Sequence, residues 1–177
     1  MEGMIKIYLT ENITTLDFET TGFSAERDAI IQVGAIKYRN GVEIARFDRF
    51  VQPDQLIPWR ITQLTGITER MVKDAPPLAH TLIELYGFLR GETIVAHNAS
   101  FDVRFLRENF DRHGIPYDNY PVIDTVKVAK QSNLPVPNFK LETLKNFLNI
   151  QTTSHSAIND CFVTGSLYYH CKKLQEL

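Results

Sequence analysis

The chain has 177 residues, a length that fits one domain of ordinary size. Apolar residues make up 44% and charged residues 23% of it, which is a globular composition and excludes the disordered and fibrous classes. The 19 basic and 21 acidic side chains give a net charge of −2, which excludes a protein that coats nucleic acid with a large basic face. An enzyme that grips a few nucleotides at one end is compatible with this balance. We expect a single domain over residues 1–177.

The cysteines and the lack of long apolar stretches indicate the cellular compartment. Cys161 and Cys171 lie in one predicted helix, too far apart along its axis to form a disulfide, and the sequence has no zinc-type or Cys-x-x-Cys spacing. No stretch has the length of a signal-peptide core or of a membrane span. The sequence therefore predicts reduced thiols, no membrane association and a cytoplasmic location.

The first third of the chain predicts an antiparallel sheet. Residues 14–19 are rich in β-formers, and residues 29–38 and 42–51 alternate between apolar and polar side chains. Asn40 and Gly41 join the last two runs, and Asn-Gly in that position is typical of a tight hairpin because both residues adopt a positive φ. We expect at least three antiparallel strands.

The rest of the chain predicts alternating strands and helices. Short helical turns are expected over residues 53–77, with Thr68 as an N-cap. Helices are then expected over residues 78–89, 100–113, 141–148 and 157–174, with short strands over residues 93–97 and from residue 122. Strands followed by strand–helix alternation indicate an α/β fold, with a mixed central sheet of about five strands flanked by helices.

Two carboxylates lie close together on the first predicted strand. Asp17 and Glu19 are two residues apart and so project from the same face, whereas Phe18 points to the opposite, apolar side. Thr20, Thr21 and Gly22 then end the strand with two hydroxyls and a residue that allows close backbone approach. Taken alone, the pair is equally well explained as a solvated strand face.

Two further acids open predicted helices. Asp102 follows the short strand that carries His97, and Asp160 lies in the first turn of the last helix, after His155. Each has an ordinary explanation as favourable charge near a helix N-terminus. Together the four acids lie at the ends or starts of elements, where the sites of α/β proteins gather. Four carboxylates suit two Mg²⁺ or Mn²⁺ ions, and imidazoles titrate near neutral pH, which suits a nearby histidine to general-base catalysis.

Three segments resemble, in order and spacing, the motifs of the DnaQ-like, or DEDDh, 3′–5′ exonucleases. They are Asp17-Phe18-Glu19-Thr20-Thr21-Gly22, His97-Asn98-Ala99-Ser100-Phe101-Asp102 and His155-Ser156-Ala157-Ile158-Asn159-Asp160. A sister subgroup has a tyrosine where this chain has Ser156, so His155 places the chain in the histidine branch. The likeness covers nearly the whole chain and extends to the proofreading epsilon-subunit exonuclease domain of bacterial DNA polymerase III.

The resemblance implies an RNase H-like fold and a catalytic centre with two divalent cations, Mg²⁺ or Mn²⁺. By analogy, Asp17 bridges both ions, Glu19 and Asp160 complete the ion that holds the attacking water, and Asp102 serves the second ion. His155 takes the proton from the water. The implied reaction releases nucleoside 5′-monophosphates one at a time from a 3′ end.

The resemblance also implies a set of substrate contacts near these acids. The residues concerned are Thr20, Thr21, Gly22, Phe23, Asn98 and Phe101. The backbone of the first three is expected to contact the terminal nucleotide, and Phe23 is expected to pack against a base. For Phe23 and Phe101, ordinary core packing is an equally good interpretation, and His97 is expected to be structural.

Several alternatives remain open at this stage. The expected substrate is the single-stranded or frayed 3′ end of DNA, with RNA 3′-end trimming or an oligoribonuclease-type activity as the alternative, because no short motif announces a 2′-OH contact. A non-catalytic nucleic-acid binding module on the same fold, and acids that merely cap helices, are the competing explanations. No tail follows the last predicted helix, which favours a stand-alone enzyme or a subunit held to a DNA polymerase partner through its surface. Oligomeric state stays open.

Overall fold

The central strand of the fold is β1 (Asn12–Thr20), which lies in the middle of a five-stranded mixed sheet. In the computed structural model, which describes residues 7–176, the other strands are β2 (Ile30–Arg39), β3 (Val42–Phe50), β4 (Ile94–Ala96) and β5 (Val122–Asp124). The strand order is β3-β2-β1-β4-β5, in which the first three strands are antiparallel and β4 and β5 run parallel to β1. The predicted mixed sheet of about five strands is confirmed.

The helices follow the predicted order, with one addition. They are α1 (Trp59–Thr65), α2 (Glu69–Val72), α3 (Leu78–Leu89), α4 (Ser100–Arg112), α5 (Thr125–Gln131), α6 (Leu141–Phe147) and α7 (Ala157–Gln175). The sequence did not predict α5, because it begins directly after β5 without an intervening turn and Asp124 ends the strand and caps the helix at once. Thr68 lies at the predicted N-cap of α2, but its side chain makes no capping hydrogen bond.

Local details agree with the other sequence predictions. Asn40 and Gly41 have φ angles of 52° and 77° and form the predicted hairpin turn between β2 and β3. Cys161 and Cys171 are both buried and free, as expected. Within residues 7–176, none of the helices has the length and apolarity needed to cross a membrane.

The alternation of β1 separates two apolar layers. Leu16 and Phe18 face a core that includes side chains of α3 and α4, whereas Ile13 faces a second core built with α7. Because side chains alternate along a strand, Asp17 and Glu19 lie on the same face as Ile13 and therefore on the α7 side of the sheet. The packing of the two layers thus decides which helix the carboxylates meet.

Candidate active site

The two acids of β1 lie near the end of the strand, opposite β2. Asp17 is paired in register with Gly34, and Glu19 with Gln32. A register shift follows directly after Glu19, so the regular ladder ends where the acid-bearing segment ends. Glu19 is only 9% exposed, which rules out the alternative of a solvated strand face.

The third acid, Asp102, reaches β1 through the backbone. Its carboxylate accepts a hydrogen bond of 3.0 Å from the N–H of Phe18. This N–H is available because β4 pairs with β1 only at Thr14 and Thr15, so the edge of β1 beyond that point has no neighbouring strand. The shortness of β4 therefore lets the first turn of α4 place a buried carboxylate against the acid-bearing part of β1.

The fourth acid, Asp160, is positioned by the close packing of α7 on β2. A Cβ on Gly34 would lie 2.4 Å from the backbone of Ala157, so only glycine allows the first turn of α7 to approach the sheet this closely. Gln32 accepts a hydrogen bond from the Ala157 N–H at 3.1 Å, and the Cys161 thiol donates to the Gly34 carbonyl at 3.1 Å. Sequence reasoning missed Gly34 and Gln32, although a glycine inside a strand often marks a close approach of another backbone.

His155 lies beside two of these acids. Ligand atoms of Glu19, His155 and Asp160 all lie within 4.8 Å of one another. His155 has a φ of 58°, in the left-handed region, and its backbone N–H donates to the Asp160 carboxylate at 3.2 Å. This local turn points back to Asp160 while leaving the imidazole exposed to solvent.

Two side chains outside the predicted set hold the segment that precedes His155. Lys145 is nearly buried, and its ammonium group donates to the Thr152 carbonyl at 3.1 Å and to the Ser154 hydroxyl at 2.5 Å. The amide of Asn159 donates to the Thr153 hydroxyl at 2.8 Å. No periodic pattern in the sequence announces these anchors, since they connect a helix to an irregular loop.

The four carboxyl groups are electrostatically crowded. Burial, followed by the charges of Asp102, Glu19 and Asp160, holds the pKa of Asp17 well above its usual range. Burial and the neighbouring acids raise the pKa of Glu19 to about 8, and burial raises the pKa of Asp102 to about 8 against the opposing hydrogen bond from Phe18. Burial raises the pKa of Asp160 to about 6, and His155 opposes that rise. The cluster therefore has an unmet demand for positive charge.

Comparison with known proteins identifies the family of the chain. The model of the RNase T family, described as "Exonuclease", matches residues 14–168. The chain belongs to this exonuclease family. The predicted family resemblance, and with it the assignment to a hydrolase of the exonuclease type, is confirmed.

The exonuclease has relatives among much longer polymerases. It is 37% identical over 177 residues to DNA polymerase III PolC-type of Caldanaerobacter subterraneus subsp. tengcongensis, covering 99% of this chain and 13% of the relative. It is 38% identical over 166 residues to the protein of the same name from Halalkalibacterium halodurans, covering 93% of this chain and 12% of the relative. The chain thus spans about an eighth of the length of the curated relatives it matches.

Solved structures share its fold. E. coli exonuclease I in complex with a dA16 oligonucleotide has a TM-score of 0.83 at 20% identity, over 94% of this chain and 42% of that one. Exonuclease X in complex with 5′-overhanging duplex DNA has a TM-score of 0.71 at 23% identity, over 93% of both chains. The expected RNase H-like fold of the exonuclease family is confirmed.

The hydroxyls that follow the first motif of the exonuclease are engaged within the protein. Thr20 donates to the carbonyl of Gly22 at 2.6 Å. Thr21 accepts hydrogen bonds from the Ala29 N–H at 2.8 Å and from the Gln55 amide at 2.6 Å. Both threonines are buried, so the side chains of this segment shape the loop, and its backbone is what is left for a nucleotide.

The aromatic residues near the site differ in their surroundings. Phe101 packs against the main core, with its ring centroid 4.9 Å from that of Phe105, so the core-packing interpretation applies to it. Phe23 is 74% exposed and touches Phe101 edge-on, with centroids 6.4 Å apart. Core packing therefore does not explain Phe23.

The polar residues of the second motif of the exonuclease have different surroundings. Asn98 is exposed, has a φ of 60°, and its backbone N–H donates to the Asp124 carboxylate at 3.2 Å. The ring nitrogens of His97 make 2.9 Å hydrogen bonds with the Thr125 hydroxyl and the Phe139 carbonyl, and burial lowers its pKa. His97 thus joins the end of β4 to α5 and to the loop before α6, which agrees with the expected structural role.

Proposed function

We propose that the chain is a single exonuclease domain that removes nucleoside 5′-monophosphates from the 3′ end of DNA in a metal-dependent reaction. The observation that carries this proposal is the convergence of four carboxylates from β1, α4 and α7 beside one exposed histidine. Of these acids, Asp102 is 2% and Asp160 8% exposed. Buried acids whose charges repel are costly to maintain unless a cation joins them.

The donor set fits hard divalent cations such as Mg²⁺ or Mn²⁺. Asp17, Glu19, Asp102 and Asp160 are the residues that would hold two such ions, and their oxygen ligands with four negative charges suit that ion type. The raised pKa values of the acids support the fit, because a bound cation would relieve the repulsion that causes part of them. When bound, the ions would stabilise the charge that develops on the phosphodiester oxygens.

His155 would act as the general base. Its imidazole lies within reach of the region between Glu19 and Asp160, and its exposure lets it pass a proton to solvent. The hydrogen bond from its backbone to Asp160, together with the anchors at Lys145 and Asn159, restricts the position of the ring. This chain therefore holds its base by a network of hydrogen bonds from α6 and α7.

The terminal nucleotide would lie against the segment that follows β1. The backbone of residues 20–22 is adjacent to the acids, and Phe23 presents an exposed ring for a base. Stacking of a base on an aromatic ring contributes roughly 1–3 kcal/mol with little dependence on sequence. Phe101 would support the ring of Phe23 from below, and Asn98 would line the opposite side of the pocket.

DNA is favoured as the substrate by the relatives. The curated relatives are called DNA polymerases, and the similar structures of exonuclease I and exonuclease X contain DNA. A zinc-bound form of exonuclease I with single-stranded DNA also has this fold, with a TM-score of 0.83. A polymerase partner and a cytoplasmic location stay predictions. An RNA-trimming activity is the second candidate, and a non-catalytic module is disfavoured because all four acids and His155 are present.

Digestion of 5′-labelled single-stranded DNA and RNA of one sequence tests the proposal. The reactions contain Mg²⁺, Mn²⁺ or EDTA, and the Asp17→Ala variant runs alongside to exclude a contaminating nuclease. We expect a metal-dependent ladder that shortens from the 3′ end, with DNA digested faster. Faster digestion of RNA would replace the substrate assignment, and no digestion of either by folded protein with metal would overturn the catalytic proposal.

A further inference from the structure

Three arginines from separate elements converge beside the candidate active site. Arg27 lies in the loop after β1, Arg60 in α1 and Arg104 in α4, and all three line one cavity of about 450 Å³ together with Phe23. All three side chains are exposed. Sequence reasoning did not single them out, because they are 33 and 44 residues apart along the chain and belong to no motif.

These arginines lack carboxylate partners. Within residues 7–176, none of the three forms an ion pair, whereas four other arginines do: Arg39, Arg46, Arg49 and Arg112. Arg104 donates to the Phe23 carbonyl at 3.2 Å, and Arg27 donates to the Ser24 hydroxyl at 3.3 Å. Each of these bonds uses one of the five N–H donors of a guanidinium group. Most of the donors therefore remain available for an external acceptor.

The acids of the same cavity are engaged with the loop itself. Glu26 accepts a hydrogen bond from the Ser24 hydroxyl at 2.8 Å, and Asp28 accepts one from the Ser24 backbone at 2.8 Å. Asp28 also fills the space beside Gly22, where a Cβ would lie 2.4 Å from its carboxylate. These two acids stabilise the turn, and three guanidinium groups against two carboxylates leave a positive excess.

The cavity adjoins the carboxylate site on two sides. Phe23 continues the segment that follows Asp17 and Glu19, and its ring contacts Phe101, which directly precedes Asp102. Arg104 lies two residues beyond Asp102 in the same helix. A strand whose 3′ end reaches the carboxylates therefore passes this cavity.

We propose that the cavity lined by Arg27, Arg60 and Arg104 binds the backbone phosphates of the single strand behind the nucleotide being removed; this inference rests on the proposed exonuclease function. Guanidinium groups recognise phosphates through paired donors and remain charged at any working pH. The contact is independent of sequence, since phosphates are the same at every step. It gives a nearly neutral chain a local grip of a few nucleotides.

The test compares a substrate that has upstream phosphates with one that has none. The substrates are a thymidine hexanucleotide and the p-nitrophenyl ester of thymidine 5′-monophosphate, and the variant is the double substitution Arg27→Gln with Arg60→Gln. Arg90→Gln is the matched control, because Arg90 is exposed, follows α3 and lies outside the cavity. We expect the double variant to lower kcat/KM for the hexanucleotide at least about 10-fold relative to that for the ester.

Binding is measured separately, so that the inference does not depend on turnover. The dissociation constant of the labelled hexanucleotide in EDTA is followed across salt concentrations, and loss of two phosphate contacts should reduce the salt slope by roughly 1.4. A parallel loss on both substrates, an equal loss in Arg90→Gln, or unchanged hexanucleotide binding would overturn the inference. If the wild-type chain hydrolyses neither substrate but the double variant still binds more weakly, the proposed activity fails and the phosphate site is supported.

Discussion

Two kinds of buried carboxylate occur in this molecule, and they have opposite surroundings. Glu92 is 8% exposed and accepts hydrogen bonds from the Thr14 hydroxyl at 2.9 Å and from Arg39 at 2.7 Å, with Lys37 at 3.1 Å. Burial raises its pKa, but these partners outweigh burial and the pKa lies below its usual value. The protein itself supplies the positive charge that Glu92 needs.

The acids of the candidate active site have other acids as neighbours instead. Asp102 is 2% exposed, and its carboxylate accepts a hydrogen bond from the Phe18 backbone N–H. Its pKa and that of Glu19 rise to about 8, chiefly because of burial. The difference teaches that burial alone does not distinguish a structural acid from a metal-binding one. The distinguishing feature is whether a cationic side chain already meets the carboxylate.

The largest expected effect comes from Asp17→Ala. Asp17 lies among three other acids, so its removal takes away a ligand that no neighbour replaces. We expect turnover to become undetectable, measured as release of nucleoside 5′-monophosphate. Glu92→Gln is the control with an intact site and should retain activity. Hydrolysis by Asp17→Ala protein with bound metal would refute the assigned role.

His155→Ala separates the base from the metal ligands. We expect kcat to fall by about 10²–10⁴-fold, the usual contribution of a general base. Mn²⁺ binding should persist, because the four carboxylates remain. Calorimetric titration with Mn²⁺ checks this, and a variant that no longer binds the ion would show that His155 acts by holding Asp160.

Lys145→Met tests the anchor of the His155 loop. The substitution keeps the length of the side chain and removes its bonds to Thr152 and Ser154. We expect kcat to fall about 5- to 20-fold with little change in KM, because the base is less often in place. A proportional rise in KM without loss of kcat would assign Lys145 to substrate binding instead.

Glu92→Gln should affect stability and leave catalysis unchanged. The loss of charge-assisted hydrogen bonds to Arg39 and Lys37 is expected to lower the free energy of unfolding by about 1–3 kcal/mol. Chemical denaturation with and without Mn²⁺ measures it. An unchanged midpoint would mean that water replaces these contacts at no cost.

The smallest expected effect is a pH dependence of the metal-free fold. Carboxyl groups whose pKa is raised in the folded state favour folding fully below the unfolded value of about 4, and this contribution disappears as pH rises through about 8. The melting temperature in EDTA should therefore fall between pH 5 and pH 8. Mn²⁺ at pH 8 should restore it, and Asp17→Asn should flatten the profile. A melting temperature that rises over this range would contradict the crowding.

The fold was largely predictable because its signals are local. The alternation around Asp17 and Glu19, the Asn40-Gly41 turn and the amphipathic pattern of α4 each report nearest neighbours along the chain. The motif spacing then identified the family, which composition and periodicity alone did not.

What the sequence did not predict depends on contacts between distant segments. The close approach of α7 to Gly34 joins residues more than 120 positions apart, and nothing near Gly34 announces it. The buried hydroxyl of Thr21 became unavailable to substrate only because Gln55 folds onto it. The convergence of Arg27, Arg60 and Arg104 likewise exists only in three dimensions.

The most direct test of the central claim is the number of Mn²⁺ ions that the chain binds. Calorimetric titration with a nucleoside 5′-monophosphate present compares the wild-type chain with Asp17→Asn and with Glu92→Gln. The four-carboxylate site predicts two ions in the wild type and in Glu92→Gln, and fewer in Asp17→Asn. Equal binding by all three, or no binding by any, would contradict a metal centre at these acids.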